Sequence, residues 1–100
     1  MNMNEYQKLA NDVANYKDFE HISNLLYVTL GASESTGKFV ARIKEVIANK
    51  KGQIGTDERS QLMKDLGNVL WHIPQAATEL NVTLDDVALI NLQNNLKIDT

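Results

Sequence analysis

The chain has 100 residues, 43% of them hydrophobic and 23% charged, with a net charge of −3 and no cysteine. This is the profile of one soluble globular domain, and it excludes disorder, a disulfide framework, a thiolate metal site and a catalytic thiol. The acidic balance, with a pI near 5.2, also argues against a nucleic-acid binder, which needs clustered Lys and Arg to neutralise phosphates.

Apolar spacing is helical almost throughout, because one proline and five glycines leave few breakers. The first helix is expected from Asn4 to about Tyr16, capped by Asn2 or Asn4, with Tyr6, Leu9, Ala10 and Val13 as its apolar stripe. No signal-peptide core is visible there, and the densest apolar run, Leu25 to Ala32, is too short to span a bilayer. A cytoplasmic location without membrane contact is the expectation.

One long second helix is expected from about Asp18 to Asn49, either unbroken or broken near Gly31 or Gly37. Its first half, with Ile22, Leu25, Leu26, Tyr27, Val28 and Leu30, is apolar around more than one face. Such a helix is buried on two sides, and in so small a chain the second side predicts a homodimer or higher homo-oligomer. Its second half returns to a stripe of Phe39, Val40, Ile43, Val46 and Ile47, with Arg42, Lys44 and Glu45 facing away.

Lys50 to Gly55 reads as a loop. Thr56 is expected to cap a third helix whose first turn holds Asp57 and Glu58. Pro74 lies inside that helix and is expected to kink it near Leu70, and Asn81 is the expected stop. Thr83 and Asp86 form a capping-box pattern for a fourth helix with Leu84, Val87, Ala88, Ile90 and Leu92 as its apolar positions. Residues 1–100 thus read as a single all-α, four-helix, bundle-like domain.

Two stretches carry a resemblance. Asn24-Leu25-Leu26-Tyr27 through Leu30-Gly31, Ser35-Thr36-Gly37-Lys38 and Arg42-Ile43-Lys44 is one; Lys64-Asp65-Leu66-Gly67-Asn68-Val69-Leu70-Trp71 is the other. Together with Asn4-Glu5-Tyr6-Gln7 and Leu84-Asp85-Asp86-Val87-Ala88 they resemble the MazG-like all-α nucleoside triphosphate pyrophosphohydrolases over nearly the whole chain. That family carries Glu-x-x-Glu on its second helix and Glu-x-x-Asp on its third. Residues three apart share a helical face, so two facing helices aim four carboxylates at Mg²⁺, which bridges substrate phosphates and activates water.

The resemblance places Ser35 and Lys38 at the two positions of the first motif, and Asp65 and Asn68 at those of the second. One carboxylate stands where the family has four, and an ammonium stands where a cation should bind. Asn94 also replaces a family Lys after the helix-four Asn. These substitutions predict no metal site, no catalytic residue and no cofactor. The expectation is a pseudo-enzyme that binds a nucleotide, or a protein such as an active relative, with Lys38 ion-paired to Asp65 in the metal's place. The alternative is a functioning Mg²⁺-dependent (d)NTP pyrophosphohydrolase whose atypical site gathers Glu34, Glu45 and Asp65 on one ion.

Lys44, Trp71 and Asn91 are the candidate nucleotide-binding residues, with Lys50 and Lys51 as further phosphate-gathering cations. Each also has a plainer reading: a solvated helix end for the lysines, core for Trp71 and a helix cross-link for Asn91. His21 and His72 are isolated from any partner that would make them catalytic or ligating.

Overall fold

The computed structural model describes residues 1–14 and 21–96, with the side chains of His21 and Ile22 set aside. Four helices and no strand are found among the described residues: α1 (Met3–Val13), α2 (His21–Lys50), α3 (Thr56–Glu79) and α4 (Leu84–Leu96). The expected end of the first helix at Tyr16 and the expected start of the second at Asp18 lie outside the described residues.

Local chemistry sets the ends. Asn2 caps α1 by accepting a 2.8 Å bond from the Glu5 N–H. Thr83 and Asp86 make the expected reciprocal box at the start of α4, with bonds of 3.1 and 3.2 Å. At α3 the N-cap is Gly55, not Thr56, which is the first helical residue. Glu58 reaches back to accept from the Gly55 N–H at 2.8 Å, so the cap is supplied from inside the helix. Asn81 ends α3 at φ +62. The Val82 N–H donates to Ala77 and the Asn81 N–H to Thr78, both at 3.0 Å, which is a Schellman closure. The α2–α3 turn uses positive φ at Lys51 and Gly52.

α2 is continuous through Gly31 and Gly37, and α3 is continuous through Pro74, which is buried. The two pack side by side and antiparallel. At Gly31 the His72 ring lies against α2: a Cβ there would lie 2.6 Å from Cε1 and 2.8 Å from Nδ1 of His72. The glycine lets the imidazole lie against the helix backbone, and of the two expected alternatives α2 takes the unbroken one.

α1 packs on α3, and α4 touches α1 and α3; among the described residues neither touches α2. The buried line of α1 is centred on Gln7 and Ala10, whereas Leu9 and Val13 of the expected stripe are exposed. Gln7 ties three elements together. Its Nε2 donates to the Thr78 hydroxyl (2.9 Å), the Val82 carbonyl (3.1 Å) and the Pro74 carbonyl (3.3 Å), and its Oε1 accepts from the Leu84 N–H (3.1 Å). Asn4 adds two bonds to Asp85, one from its Nδ2 to the carboxylate and one from the Asp85 N–H to its Oδ1.

The core is small. Ala10, Val28, Val46, Ala77 and Leu84 are its buried apolar side chains, beside Pro74 and the polar Gln7, Asn24 and Gln75. Much of the expected apolar surface stays open: Leu26, Leu30, Val40, Ile43 and Ile47 on α2, Met63, Leu66, Leu70 and Ile73 on α3, and every large apolar side chain of α4 after Leu84. The accessible surface of 7634 Å² exceeds by about 1,900 Å² what a compact monomer of 11.2 kDa exposes. The radius of gyration of 16.1 Å likewise exceeds the roughly 13 Å of a compact chain this long.

Candidate functional site

The two motif stretches face each other across the α2–α3 interface. The line of α2 that meets α3 runs through Asn24, Val28, Gly31, Ser35, Arg42 and Val46, residues three, four or seven apart and therefore on one side of a helix. Ser35 is half-buried on that line, and Asp65 is half-buried on the opposing side of α3. These two motif positions lie on the facing sides of the helix pair. Lys38 and Asn68 are exposed.

Lys38 does not pair with Asp65. Its ammonium lies 3.3 Å from the Glu34 carboxylate one turn earlier, with 71% and 73% of the two side chains exposed. Lys38 is three residues after Ser35 and four before Arg42, so helix spacing alone does not turn it from α3; it is exposed and pairs with the anion one turn back on its own helix. The cation that meets Asp65 is Arg42, whose Nε donates to Asp65 Oδ2. Asp65 retains 12% of its side-chain exposure and Arg42 36%. Arg42 therefore faces α3 instead of solvent, and hydrogen bonding to Asp65 raises its pKa above the ordinary guanidinium value. Arg42 stands seven residues, two full turns, after Ser35.

This donor set does not fit Mg²⁺. The ion needs several hard oxygens in near-octahedral order, and the one carboxylate at the four positions is already held by a guanidinium. Nor can Glu34, Glu45 and Asp65 share an ion. Glu34 and Glu45 are eleven residues apart on an unbroken helix, about 16 Å along its axis. Among the described residues, no three His, Cys, Asp or Glu side chains gather where they could hold a metal.

The candidate nucleotide-binding residues are dispersed. Lys44 is exposed and, two residues after Arg42, points about 200° away from α3. Trp71 is half-buried and lines a hollow of about 270 Å³ with Val13, Tyr27, Val28, His72 and Gln75. Asn91 is exposed on α4, which makes no contact with α2. Lys50 ends α2 and lines a cleft of about 180 Å³ with Arg42, Glu45, Asn49, Asp57 and Gln61, where charges of both signs are mixed. The His21 side chain lies outside the described residues. His72 is half-buried against Gly31; desolvation lowers its pKa, and the nearby Glu34 charge opposes the shift.

No helix among the described residues is long and apolar enough to cross a membrane. No protein-family profile matches the chain, and no solved structure matches it. A curated relative does: the Gene 37 protein of Mycobacterium phage L5 is 35% identical over 95 residues, an alignment covering 92% of this chain and 83% of that protein. At that identity and coverage, the chain belongs to the same family as the phage L5 Gene 37 protein.

Proposed function

We propose that this protein is a MazG-like, dimeric helical domain that has lost metal-dependent turnover and acts in the cytoplasm by binding. One observation carries the reading: Asp65, the single carboxylate at the four expected ligand positions, is neutralised across the helix interface by Arg42. A guanidinium there does for the carboxylate what a metal would do, without a Lewis acid or an activated water. Ser35, on the facing side of α2, offers only a hydroxyl, and Lys38 and Asn68 bring no negative charge. The ligand is a nucleotide or a protein, an active relative among the latter.

Dimerisation through α2 completes the reading. Opposite α3, α2 exposes the apolar Leu26, Leu30, Val40 and Ile47, with Lys44 between the last two. The excess surface of about 1,900 Å² is what one protomer of an obligate dimer gives up, since such interfaces bury about 2,000–5,000 Å² in total.

The test is calorimetric titration of the protein with Mn²⁺, and with dNTPs in the presence and absence of Mg²⁺. The expected result is no Mn²⁺ binding and a nucleotide affinity that Mg²⁺ does not improve. Stoichiometric Mn²⁺ binding, or nucleotide binding that requires metal, would refute the loss of the site. The combined variant Ser35→Glu, Lys38→Glu, Asp65→Glu and Asn68→Asp is expected to gain Mn²⁺ binding.

A further inference from the structure

Two helical runs in this chain carry no Asp, Glu, Lys or Arg and yet expose leucines to solvent. One is Ile22 to Ser33 in the first half of α2; the other is Val87 to Leu96, which is α4 after its first turn. Leu26 and Leu30 on α2 are 58% and 60% exposed, and Leu89, Leu92 and Leu96 on α4 are 55%, 51% and 62% exposed. A solvated helix face normally carries charge, and an isolated helix of thirteen residues is marginal in water. Both runs therefore require cover.

The two surfaces match in form. Ser23, Leu26, Tyr27 and Leu30 bound a shallow, mostly apolar hollow of about 280 Å³ that runs about 10 Å along α2. Leu89, Leu92 and Leu96, at three- and four-residue steps, form a ridge of the same length on one side of α4. Ridge-into-groove packing is how two such helices bury each other. Neither side presents a charge for the other to desolvate.

The chain's own α4 does not lie there. Its first turn is clamped to α1 by Gln7 on the Leu84 N–H and by Asn4 on Asp85, and it touches α1 and α3 but not α2. We infer that α4 is an inter-subunit arm: the Leu89–Leu92–Leu96 ridge of one copy seats in the Ser23–Leu26–Tyr27–Leu30 hollow of a second copy. A two-fold axis makes the exchange reciprocal, so each dimer has two such seats flanking the α2 contact. This rests on the dimer proposed above and names what covers the first half of α2 within it.

The chain has no cysteine, so introduced thiols report contacts cleanly. Leu30→Cys and Leu92→Cys would be made in separate, differently tagged chains, checked by circular dichroism, mixed and mildly oxidised. The expected product is a disulfide-linked heterodimer that forms when the two are mixed and exceeds either variant's self-linked product at least tenfold. Sedimentation of the cysteine-free chain, and of Leu92→Asp, accompanies it. The expectation is a dimer for the former and at least tenfold weaker dimerisation for the latter. A dimer that gives no Leu30–Leu92 disulfide, or that Leu92→Asp leaves intact, overturns the arm while leaving the α2 dimer standing. An intramolecular disulfide in the doubly substituted chain would show α4 folding onto its own α2 and overturns it as well. A monomer at 100-micromolar-order concentration overturns both readings.

Discussion

Replacing Gln7 by alanine tests the packing logic at its most connected point. The side chain is 9% exposed and makes four hydrogen bonds, to the Pro74 and Val82 carbonyls, the Thr78 hydroxyl and the Leu84 N–H. Pro74 keeps a second donor, since the Thr78 hydroxyl gives it a 2.9 Å bond. The Leu84 N–H loses its acceptor in a place where Leu84 itself is 5% exposed, and the Val82 carbonyl loses the Gln7 donor. A stranded buried group costs about 1–3 kcal/mol, so with two of them Gln7→Ala is expected to lose about 2–6 kcal/mol before any cavity is counted. That is a large fraction of the 5–15 kcal/mol typical of a domain. Urea denaturation at fixed protein concentration is the assay, because the proposed dimer would make stability depend on concentration. Gln7→Glu is a sharper companion. It keeps the acceptor for Leu84 but turns a carboxylate toward the Val82 and Pro74 carbonyls, so it is expected to be at least as destabilising at neutral pH. A loss under about 0.5 kcal/mol for Gln7→Ala, the range of an ordinary surface substitution, would refute the clamp.

Other consequences follow from the α2–α3 interface. Gly31→Ala puts a methyl within 2.6 Å of the His72 ring and is expected to cost about 1–3 kcal/mol by overpacking; His72→Ala in the same chain should recover most of it in the same denaturation assay. His72 has its pKa lowered by burial, so the unfolded chain binds its proton more readily than the folded one. Its stabilising contribution is present above about pH 6.5, the unfolded value, and is lost as pH falls through the lower folded value; His72→Gln should flatten that slope in melting curves from pH 7.5 to 5. A double-mutant cycle on Arg42→Gln and Asp65→Asn should show non-additive losses in melting temperature, whereas additivity would mean the pair is uncoupled. Lys38→Ala should leave the melting temperature unchanged, because its partner Glu34 is as exposed as it is.

What could be read from residues alone was largely what is local. The Thr83–Asp86 box, the Asn2 cap and the left-handed stop at Asn81 depend on neighbours within a few positions, and each stands as the pattern implies. Helix faces were harder. Apolar spacing on α2 pointed to Val28, Phe39, Val40, Ile43, Val46 and Ile47; the chain's own packing buries Val28 and Val46 but leaves Val40, Ile43 and Ile47 open, and the polar Asn24, Ser35 and Arg42 share the covered line. Hydrophobic pattern marks every surface that must leave water, whoever covers it, and cannot say which surface the chain covers itself. On α1 the same ambiguity hid Gln7, since a polar residue gives no apolar signal and its four partners lie far away in the chain. At the candidate site, the ligand positions had to be read through a resemblance. The partner of Asp65 could not be counted from spacing alone, because Arg42 lies two turns from Ser35 and Lys38 two turns from Gly31; the structure pairs Arg42 with Asp65 and Lys38 with Glu34.

Under the proposed function, Arg42 and the substituted positions leave the protein without metal-dependent turnover. Pyrophosphate release measured on a panel of NTPs and dNTPs, at high protein concentration with Mg²⁺, with Mn²⁺ and with chelator, tests it most directly. The account predicts no release above the chelated control for any nucleotide. Metal-dependent release that survives repurification and disappears in Asp65→Asn would contradict it.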